Sequence, residues 1–461
     1  MTPPLRDYQK TALEAVMNGV NYLGLEQGLG KTRILIEFAK SKGARRILVF
    51  CPASVRLAWE VEVPKWWPDA PRVVLVNKPT DLALQEGFFI ISYDRMSRGE
   101  AFLDAILVAP KFDMAFCDEA HALKGSPSKT RRTKNIYFGA RKNIERMIAA
   151  SGTPAPNHAG ELYTAFRALA PGKISYADKS IMSQVQFEDL YCKVDYKWFG
   201  GRQHRVIVGS QNIEQLRPKL KGFLLRMRKK DVLPELPPLD FTTVPVEPSL
   251  KGIDPEILAG LDDTLLEGMT DDEVMKNLNG FDTEVGRLRA AVGLSEAGLA
   301  RLRLALGLSK MHSASDYLVD FLEESRTKIV VWGVHHVVID TLMEKLAAFN
   351  PVKIDGRSSP MDRRFAVDSF LNKSSCRVFV GNIVAAGTGL TLIGPRCECS
   401  DVFFVESSYT PGENLQAAAR VHRLGQKDGV LARVFTARRT IDDRIQSIIA
   451  RKSKELAELF S

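Results

Sequence analysis

The stretch Gly24-Leu-Glu-Gln-Gly28-Leu-Gly30-Lys31-Thr32 stands directly before a helical pattern at residues 33–39, and it decides the fold. Closely spaced glycines let successive backbone N–H groups converge on phosphate oxygens, and the start of a helix favours negative charge. In such a loop Lys31 would neutralise the β- and γ-phosphates of a nucleotide, while the Thr32 hydroxyl would coordinate Mg²⁺. The stretch therefore predicts a phosphate-binding loop at a strand-to-helix junction.

The match to the strict phosphate-loop pattern is imperfect. That pattern has a glycine five places before Gly30, where this chain has Leu25, and Gly24 comes one place too early. Gly30 stands at a position that the pattern requires, and both Gly28 and Gly30 are predicted to hold the nucleotide. An incidental glycine turn that opens a helix is the alternative interpretation of this motif on its own.

A second motif, Phe116-Cys-Asp118-Glu119-Ala-His121, ends a run of apolar residues. Carboxylates buried at the end of a strand are costly unless a cation or a proton-transfer role compensates for the lost hydration. Asp118 would hold Mg²⁺ through water, and Glu119 would orient and deprotonate an attacking water molecule. An exposed acidic turn is the alternative, but the presence of both motifs favours nucleotide hydrolysis.

Two arginines late in the chain can supply positive charge to a transferring phosphate. In Gln416-Ala-Ala-Ala-Arg420-Val-His-Arg423-Leu-Gly-Gln426 they are three residues apart, which predicts neighbouring positions on a helical turn. Arg420 and Arg423 are therefore candidate arginine fingers, in register with Gln416. Surface arginines that pair with solvent are the alternative.

Short apolar runs alternate with helical patterns in two parts of the chain. In the first part the candidate strands are residues 47–51, 73–76, 88–92, 114–117 and 147–150. In the second part they are residues 329–332, 352–354, 377–380, 402–405 and 430–435. This alternation predicts an α/β fold with two parallel-sheet lobes in tandem.

The predicted first lobe spans residues 1–170 and the predicted second lobe spans 326–461. Residues 171–325 between them look helical and irregular, and Leu233-Pro-Glu-Leu-Pro-Pro238 within them is a linker signal. The apolar spacing over residues 441–460 predicts a terminal helix that docks on the second lobe.

Length and composition exclude several classes of protein. At about 150 residues per domain, 461 residues suffice for two to four domains. The content of 45% apolar and 26% charged residues excludes a wholly disordered or fibrous chain. With no long apolar stretch and no signal-like start, we expect a protein inside the cell and outside the membrane. The six cysteines are predicted to be reduced core residues, and Cys397 and Cys399 lack the partners of a zinc site.

The charge balance suits a nucleic-acid partner but also suits many unrelated enzymes. The formal net charge is +9, from 64 basic and 55 acidic residues. Residues 254–284 hold ten acidic side chains and one basic one, Lys276, so the rest of the chain is more basic than the total indicates. This acidic stretch is predicted to face away from any polyanion.

In this order, the motifs resemble those of the superfamily-two helicase-like motors, and in particular the Swi/Snf-type DNA translocases. Further segments that carry the resemblance are Leu5-Arg-Asp-Tyr-Gln9, Cys51-Pro-Ala-Ser54, Ile91-Ser-Tyr-Asp94, Ser151-Gly-Thr153-Pro154 and Gly387-Thr-Gly389-Leu-Thr391. The resemblance covers nearly the whole chain. It implies two RecA-like lobes that use ATP and Mg²⁺, with a helical insertion between the lobes.

The resemblance also implies roles in nucleotide binding for single residues. Gln9 would contact the adenine, and Gly389 and Gln416 would add to the nucleotide site. Ser151 and Thr153 would sense the γ-phosphate and relay its presence to the DNA contacts; a simple Ser-Gly-Thr-Pro turn is the alternative.

Other residues would couple the motifs or grip DNA. His121 would couple motifs by hydrogen bonding, and Ser54, Ser92 and Thr388 would hold DNA phosphates. The basic run 226–230 would either add to that grip or form a solvated helix face. The tryptophans are predicted to pack in the core rather than to stack on bases: Trp59, Trp66, Trp67, Trp198 and Trp332.

Several details look most like the distant subgroup that contains the annealing helicases, which remodel replication forks. They are Phe187-Glu-Asp-Leu-Tyr-Cys192, Lys328-Ile-Val-Val-Trp332 and Tyr409-Thr-Pro-Gly412. Ala418 and Ala419 replace an acidic pair that this subgroup usually carries, which leaves open how Arg420 is held in place.

The protein implied by this resemblance is a monomeric, ATP-dependent translocase on double-stranded or forked DNA. It would be cytoplasmic and associated with the nucleoid if bacterial or viral, and nuclear if eukaryotic. A strand-separating or RNA-dependent helicase of the same superfamily is one alternative. A DNA-binding scaffold that does not hydrolyse ATP is another.

Overall fold

The computed structural model describes residues 3–199, 202–249, 296–387, 389–408, 410–437 and 442. They form two compact units, one from residues up to 193 with 209–233, and the other from 194–208 with the described residues after 233. The acidic stretch 254–284, and the predicted terminal helix 441–460 apart from Asp442, lie outside the described residues. The domain boundaries predicted from the sequence stay predictions.

The strands, in chain order, are β1 (Tyr22–Leu25), β2 (Arg46–Cys51), β3 (Val73–Leu75), β4 (Gly87–Ser92), β5 (Phe112–Asp118), β6 (Ile144–Ala150), β7 (Cys192–Phe199), β8 (Arg202–Ser210), β9 (Leu224–Met227), β10 (Leu239–Val246), β11 (Ile329–Gly333), β12 (Val352–Ile354), β13 (Val378–Asn382), β14 (Asp401–Phe404) and β15 (Val430–Ala437). The α-helices are Asp7–Met17, Lys31–Ser41, Arg56–Trp66, Tyr93–Ser97, Ala101–Val108, Arg131–Thr133, Tyr163–Leu169, Gln184–Tyr191, Ile213–Leu220, Lys229–Val232, Glu296–Ser309, Met311–Glu324, His336–Lys345, Pro360–Asn372, Ile383–Ala386 and Pro411–Ala418. Short 3₁₀ helices cover Ala53–Val55, Pro79–Ala83, Ala120–Leu123, Ala140–Asn143, Ala159–Leu162, Pro171–Ile174 and Ala347–Phe349, and a π-helical turn covers Lys134–Gly139.

The first unit is built on a seven-stranded sheet in the order β3-β4-β2-β5-β6-β1-β9, and its strands pair in parallel. Strands β2 and β4 are buried along their whole length. Helices cover both faces of such a sheet, which is why these strands read as continuous apolar runs in the sequence. The carboxyl ends of β1, β5 and β6 meet at one edge, where loops that follow these strands lie side by side.

The second unit is built on a six-stranded parallel sheet in the order β10-β15-β14-β11-β13-β12. Alternate residues of β11 enter different cores, with Val330 and Trp332 on one face and Ile329 and Val331 on the other. This alternation follows from the two-residue period of a strand. The predicted α/β fold with two parallel sheets in tandem is therefore confirmed.

The ten strands predicted from the sequence are all present, but the sequence analysis missed five others. Strand β1 has only four residues directly before the glycine loop. The segment expected to be helical and irregular also supplies β9 and β10, one at an edge of each sheet. Strand β10 is largely exposed and contains Pro245, so it lacks the apolar run that marks an inner strand.

Burial agrees with several expectations from composition. The six cysteines are all buried and unpaired as disulfides. Trp59, Trp67 and Trp332 are buried, as core packing requires, whereas Trp66 is partly exposed and the side chain of Trp198 is not described. Within the described ranges, none of the helices combines the length and apolar character needed to cross a bilayer.

Candidate functional site

The predicted phosphate loop joins β1 to the helix Lys31–Ser41. Gly28 and Gly30 have φ angles of +89° and +79°, a left-handed conformation that glycine adopts without steric cost. Lys31 is buried, and its Nζ donates to the backbone oxygen of Leu25 at 3.0 Å and of Glu26 at 3.5 Å. The ammonium group and the first N–H groups of the helix therefore concentrate positive charge at this loop.

The side chain of Gln9 lies against the same loop. Its Oε1 accepts a hydrogen bond from the Arg6 backbone N at 3.1 Å, and its Nε2 donates to the Leu29 backbone O at 3.4 Å. A Cβ atom at Gly30 would lie 2.5 Å from Gln9 Nε2, so a larger residue there would displace this amide. The residue predicted to contact adenine is thus positioned by the phosphate loop itself.

The carboxylates of Asp118 and Glu119 stand at the end of β5. Asp118 is buried, and its Oδ2 accepts from Trp59 Nε1 at 2.9 Å while its Oδ1 accepts from the Glu119 backbone N at 3.0 Å. Burial and the neighbouring Glu119 charge raise the pKa of Asp118 to about 6, although Lys31 and Trp59 act in the opposite direction. Glu119 has φ of +50°, a conformation that turns the chain sharply after the strand.

The residues predicted to bind Mg²⁺ offer the chemistry that this ion prefers. A carboxylate from Asp118 and a hydroxyl from Thr32, the second residue of the helix Lys31–Ser41, are oxygen donors. A buried carboxylate whose pKa is raised by a second carboxylate gains from a nearby cation, which favours its ionised form. The donor set therefore fits a magnesium ion at this edge of the sheet.

His121 connects the loop after β5 to the loop after β6. Its Nδ1 shares a 2.8 Å hydrogen bond with Ser151 Oγ and lies 3.4 Å from Glu119 Oε2. Ser151 is buried, and its Oγ also accepts from the Thr153 backbone N at 3.1 Å. Because β5 and β6 are neighbours, the residues predicted to activate water and to sense the γ-phosphate are joined by one series of polar contacts.

A second link between these loops runs through Glu161, which the sequence analysis did not identify. Lys124 Nζ lies 2.5 Å from Glu161 Oε1, and the backbone N and Nδ2 of Asn157 donate to the same carboxylate at 2.9 and 2.7 Å. Burial alone would raise the pKa of Glu161, but Lys124 and these hydrogen bonds hold it at about 2. No spacing rule in the sequence marks Glu161, because its partners belong to other motifs.

The basic run 226–230 begins on a strand, which corrects the expectation of a solvated helix face at Arg226. Arg226 lies on β9, next to β1, and its Nη1 donates to the backbone oxygen of Gly24 at 2.6 Å and of Gly152 at 2.9 Å. The backbone N of Lys229 donates to Glu26 Oε2 at 2.7 Å. Arg226 therefore lies on a strand and not on a solvated helix face, and strand pairing brings its guanidinium group against the phosphate loop.

The residues predicted to hold DNA phosphates occur in different settings. Ser54 is exposed in the 3₁₀ turn Ala53–Val55 at the end of β2. Ser92 is buried, and its Oγ accepts from the Arg95 backbone N at 3.4 Å, which caps the helix Tyr93–Ser97. Thr388 lies outside the described residues, and Gly389 beside it has φ of +76°.

In the second unit, Arg420 is buried and held by backbone oxygens. Its Nε donates to the Gln416 O at 3.0 Å and its Nη1 donates to the Leu390 O at 3.1 Å. This anchorage answers how the side chain is positioned where the usual acidic pair is replaced by Ala418 and Ala419. Gln416 is itself buried on the helix Pro411–Ala418.

Arg423 is tied to the same neighbouring segment as Arg420. Its Nε donates to the Ala419 O at 3.0 Å, and its Nη1 donates to Thr391 Oγ1 at 2.7 Å. The expectation that both arginines stand on a helical turn is corrected, since the helix ends at Ala418 and both lie in the turns beyond it. The Arg420 backbone O accepts from the Leu392 N at 3.0 Å, which draws the chain away from the helical path.

His422, between the two arginines, is buried and binds the linker. Its Nε2 lies 2.7 Å from the backbone oxygen of Pro237, within hydrogen-bonding distance. Gln426 Nε2 donates to the Cys399 O at 2.7 Å and fixes the end of the motif. Within the described residues, no cluster of three or more metal-ligating side chains surrounds His422 or His121.

Comparison with protein-family models matches residues 8–251 to the SNF2-related domain and residues 309–425 to the Helicase conserved C-terminal domain. The first match alone covers more than half of the chain. Together the matched ranges contain the phosphate loop, the carboxylate motif and the two arginines.

Similar curated proteins cover nearly all of this chain. SWI/SNF-related matrix-associated actin-dependent regulator of chromatin subfamily A-like protein 1 of Drosophila melanogaster is 28% identical, over 94% of this chain and 53% of the relative. DNA annealing helicase and endonuclease ZRANB3 of Mus musculus is 26% identical, over 93% of this chain and 38% of the relative. The chain thus spans about half, or less, of the length of these relatives. Among solved structures, the Sulfolobus solfataricus SWI2/SNF2 ATPase core in complex with dsDNA aligns over 100% of this chain and 93% of that chain, with 21% identity and a TM-score of 0.43.

Proposed function

Because this chain belongs to the SNF2-related family, we propose that it is a DNA-dependent ATPase that moves along double-stranded DNA. The observation that carries the proposal is the chain of contacts from Glu119 through His121 to Ser151, beside the phosphate loop that holds Lys31. These groups are the ones that phosphoryl transfer requires. The resemblance to Swi/Snf-type motors is confirmed, while the activity of the whole protein is our proposal.

In the first unit, the proposed chemistry divides between a cation and a base. Lys31 neutralises phosphate charge, and Glu119 orients the attacking water and accepts its proton. His121, 3.4 Å from the Glu119 carboxylate, holds that side chain in register with Ser151. Thr32 and Asp118 would hold Mg²⁺, which supplies further positive charge to the phosphates when bound.

In the second unit, Arg420 and Arg423 are proposed to stabilise the charge that develops on the transferring phosphate. Both side chains are positioned by defined hydrogen bonds to the segment 389–391 and to the end of the helix Pro411–Ala418. Guanidinium groups held in this way need little reorganisation during the reaction, which is the advantage of a preorganised site. Gln416 supports Arg420 through its backbone oxygen.

Double-stranded DNA is the proposed polymer along which the protein moves, and its phosphates are the groups that the protein is proposed to contact. The positive net charge supports this partner, since neutralising phosphates with basic residues supplies most sequence-independent affinity. Ser54, exposed at the end of β2, is a proposed contact, together with Thr388. We also propose that the motor remodels or reanneals DNA structures such as forks, or displaces bound proteins. It would act as a monomer, in the nucleus of a eukaryote or at the nucleoid of a bacterium.

The test is a titration of ATPase activity with duplex DNA, forked DNA, single-stranded DNA and RNA. We expect strong stimulation by duplex or forked DNA, little by RNA, and displacement of a triplex-forming strand on the best activator. Stimulation by single-stranded RNA alone would favour the RNA-dependent helicase. The absence of DNA-stimulated phosphate release, with no effect of Lys31→Ala, would favour the non-hydrolysing scaffold.

A further inference from the structure

Gln27 is a buried polar side chain at the centre of the phosphate loop. It lies between Glu26 and Gly28, and only 7% of its surface is exposed. Its Nε2 has no hydrogen-bond partner among the residues that the structure describes. In the sequence, Gln27 lies within the phosphate-loop stretch of residues 24–32.

The Gln27 amide packs directly on Gly152. A Cβ atom at Gly152 would lie 2.1 Å from Gln27 Nε2, 2.3 Å from its Cδ and 2.7 Å from its Oε1. Gly152 stands between Ser151 and Thr153, whose hydrogen bonds lead to His121. Because Gly152 has no side chain, the Gln27 amide can pack directly against the turn formed by residues 151–153.

The surroundings of Gln27 indicate which acceptor would suit its N–H group. Burying an amide donor with no acceptor is costly, so a buried amide in a binding loop is favoured when a ligand supplies the acceptor. The start of the helix Lys31–Ser41 and the buried Lys31 both favour an anion here. A phosphate oxygen is therefore the hydrogen-bond acceptor that best suits this buried amide.

We propose that Gln27 Nε2 donates a hydrogen bond to an oxygen of the terminal phosphate of a bound nucleoside triphosphate. The terminal phosphate is favoured because Gln27 lies on the side of the loop that faces Gly152, whose neighbour Ser151 connects through His121 to Glu119, the proposed base. Gln27 then distinguishes triphosphate from diphosphate and transmits the difference to Ser151 and Thr153. This inference rests on the proposed function, because it requires the loop to bind a nucleotide.

The first test compares Gln27→Met with the unchanged chain in binding of ADP and of a non-hydrolysable ATP analogue. Methionine keeps the length and apolar packing of the side chain but removes the donor. A hydrogen bond to a charged group is lost, so we expect affinity for the triphosphate analogue to fall by about tenfold or more, while ADP affinity changes less than about twofold. Gln27→Glu places an anion at the same position and should weaken the triphosphate further.

Gln85→Met is the matched control, since Gln85 is an exposed glutamine of the same unit and should leave both affinities unchanged. Equal losses for ADP and the triphosphate analogue, or no loss for either, would overturn the role of Gln27. A chain that binds neither nucleotide even before substitution would instead overturn the proposed function. The two failures are therefore distinguishable.

A second test uses the close packing of Gln27 on Gly152. Gly152→Ala should push the amide aside and lower triphosphate affinity in the unchanged chain. In a Gln27→Ala background there is room for the new methyl group, so the same change at Gly152 should have little further effect. Strict additivity of the two substitutions would contradict the proposal, because residues that act through one contact are not additive.

Discussion

The indole Nε1 of Trp59 donates a 2.9 Å hydrogen bond to Oδ2 of Asp118, so a core side chain directly orients a proposed magnesium ligand. Trp59 is fully buried and its ring stacks on Phe116, with centroids 6.1 Å apart. Core packing and positioning of the carboxylate are thus combined in one residue. Groups that orient a metal ligand in this way contribute to metal affinity without touching the ion.

We expect Trp59→Phe to raise the Mg²⁺ concentration needed for half-maximal ATPase activity by about tenfold or more, because Asp118 loses a donor. The larger part of the apolar packing is kept, so the chain should remain folded. Trp67→Phe is the control, since this ring packs on Phe88 and makes no contact with the carboxylate motif that is described. An unchanged Mg²⁺ requirement for Trp59→Phe would show that the hydrogen bond is dispensable.

The raised pKa of Asp118 predicts a pH-dependent penalty on stability in the absence of nucleotide and Mg²⁺. The folded chain holds a proton on Asp118 up to a pKa of about 6, whereas an unfolded aspartate ionises near its ordinary value. The penalty on stability therefore grows as the pH rises from the ordinary aspartate pKa, about 4, to about 6, and above that it is constant, on the order of 1–3 kcal/mol at pH 8. Asp118→Asn should be more stable than the unchanged chain in urea unfolding at pH 8, and the difference should shrink at pH 5. Equal differences at both pH values would contradict this assignment.

Glu119→Gln should keep nucleotide binding but lower turnover by about 100-fold or more, because the amide cannot accept the proton of the attacking water. Single-turnover phosphate release and binding of a non-hydrolysable ATP analogue would separate the two effects. Turnover that survives at a near-normal rate would mean that another group is the base.

The ion pair of partly exposed Lys124 with buried Glu161 should matter more to stability than a fully exposed ion pair. Glu161→Gln leaves the Lys124 ammonium without its counter-charge, and we expect a loss of about 2 kcal/mol in urea unfolding at pH 7, less than for a fully buried pair because water reaches Lys124. Because the pKa of Glu161 is lowered to about 2, this contribution is present above the ordinary glutamate pKa and is lost as the pH falls toward 2. Asp7→Asn removes the exposed contact with Lys10 and should change the free energy of unfolding far less, because solvent screens this pair. Similar losses for the two variants would refute the distinction.

Arg423→Ala should bind nucleotide and DNA but lower turnover by about 10³-fold, as removal of an arginine finger does. Arg396→Ala, which changes an exposed arginine of the same unit, is the control and should be near normal. If both variants lose activity equally, the effect comes from general charge and not from a finger.

Motifs that lie within one loop were predictable, and partners that come together across the sheet were not. The roles assigned to Lys31, Asp118 and Glu119 depend on local spacing and on burial at a strand end, which the sequence displays. The contact of Arg226 with Gly24 joins residues 202 positions apart and depends on β9 pairing with β1. Hydrophobic periodicity indicates where strands lie but not which strands pair, so this contact could not be predicted from the sequence.

The same limit applies to side chains with two roles. Trp59 stands in an apolar pattern, and such a pattern predicts its burial but not the direction of its N–H group. Glu161 follows a turn and has no spacing signal, yet three donors converge on it from Lys124 and Asn157. Both roles depend on contacts between segments that follow neighbouring strands of the sheet, β2 with β5 and β5 with β6.

The backbone between Lys229 and Pro237 is hydrogen-bonded at each end to a segment proposed to act on the nucleotide. At the first end, the Lys229 N–H donates to Glu26 of the phosphate loop. At the other end, the Pro237 carbonyl lies within hydrogen-bonding distance of His422, which stands between Arg420 and Arg423. Each end of this connection is therefore fixed within its own unit, so glycines inserted between residues 233 and 234 would leave both anchoring hydrogen bonds in place.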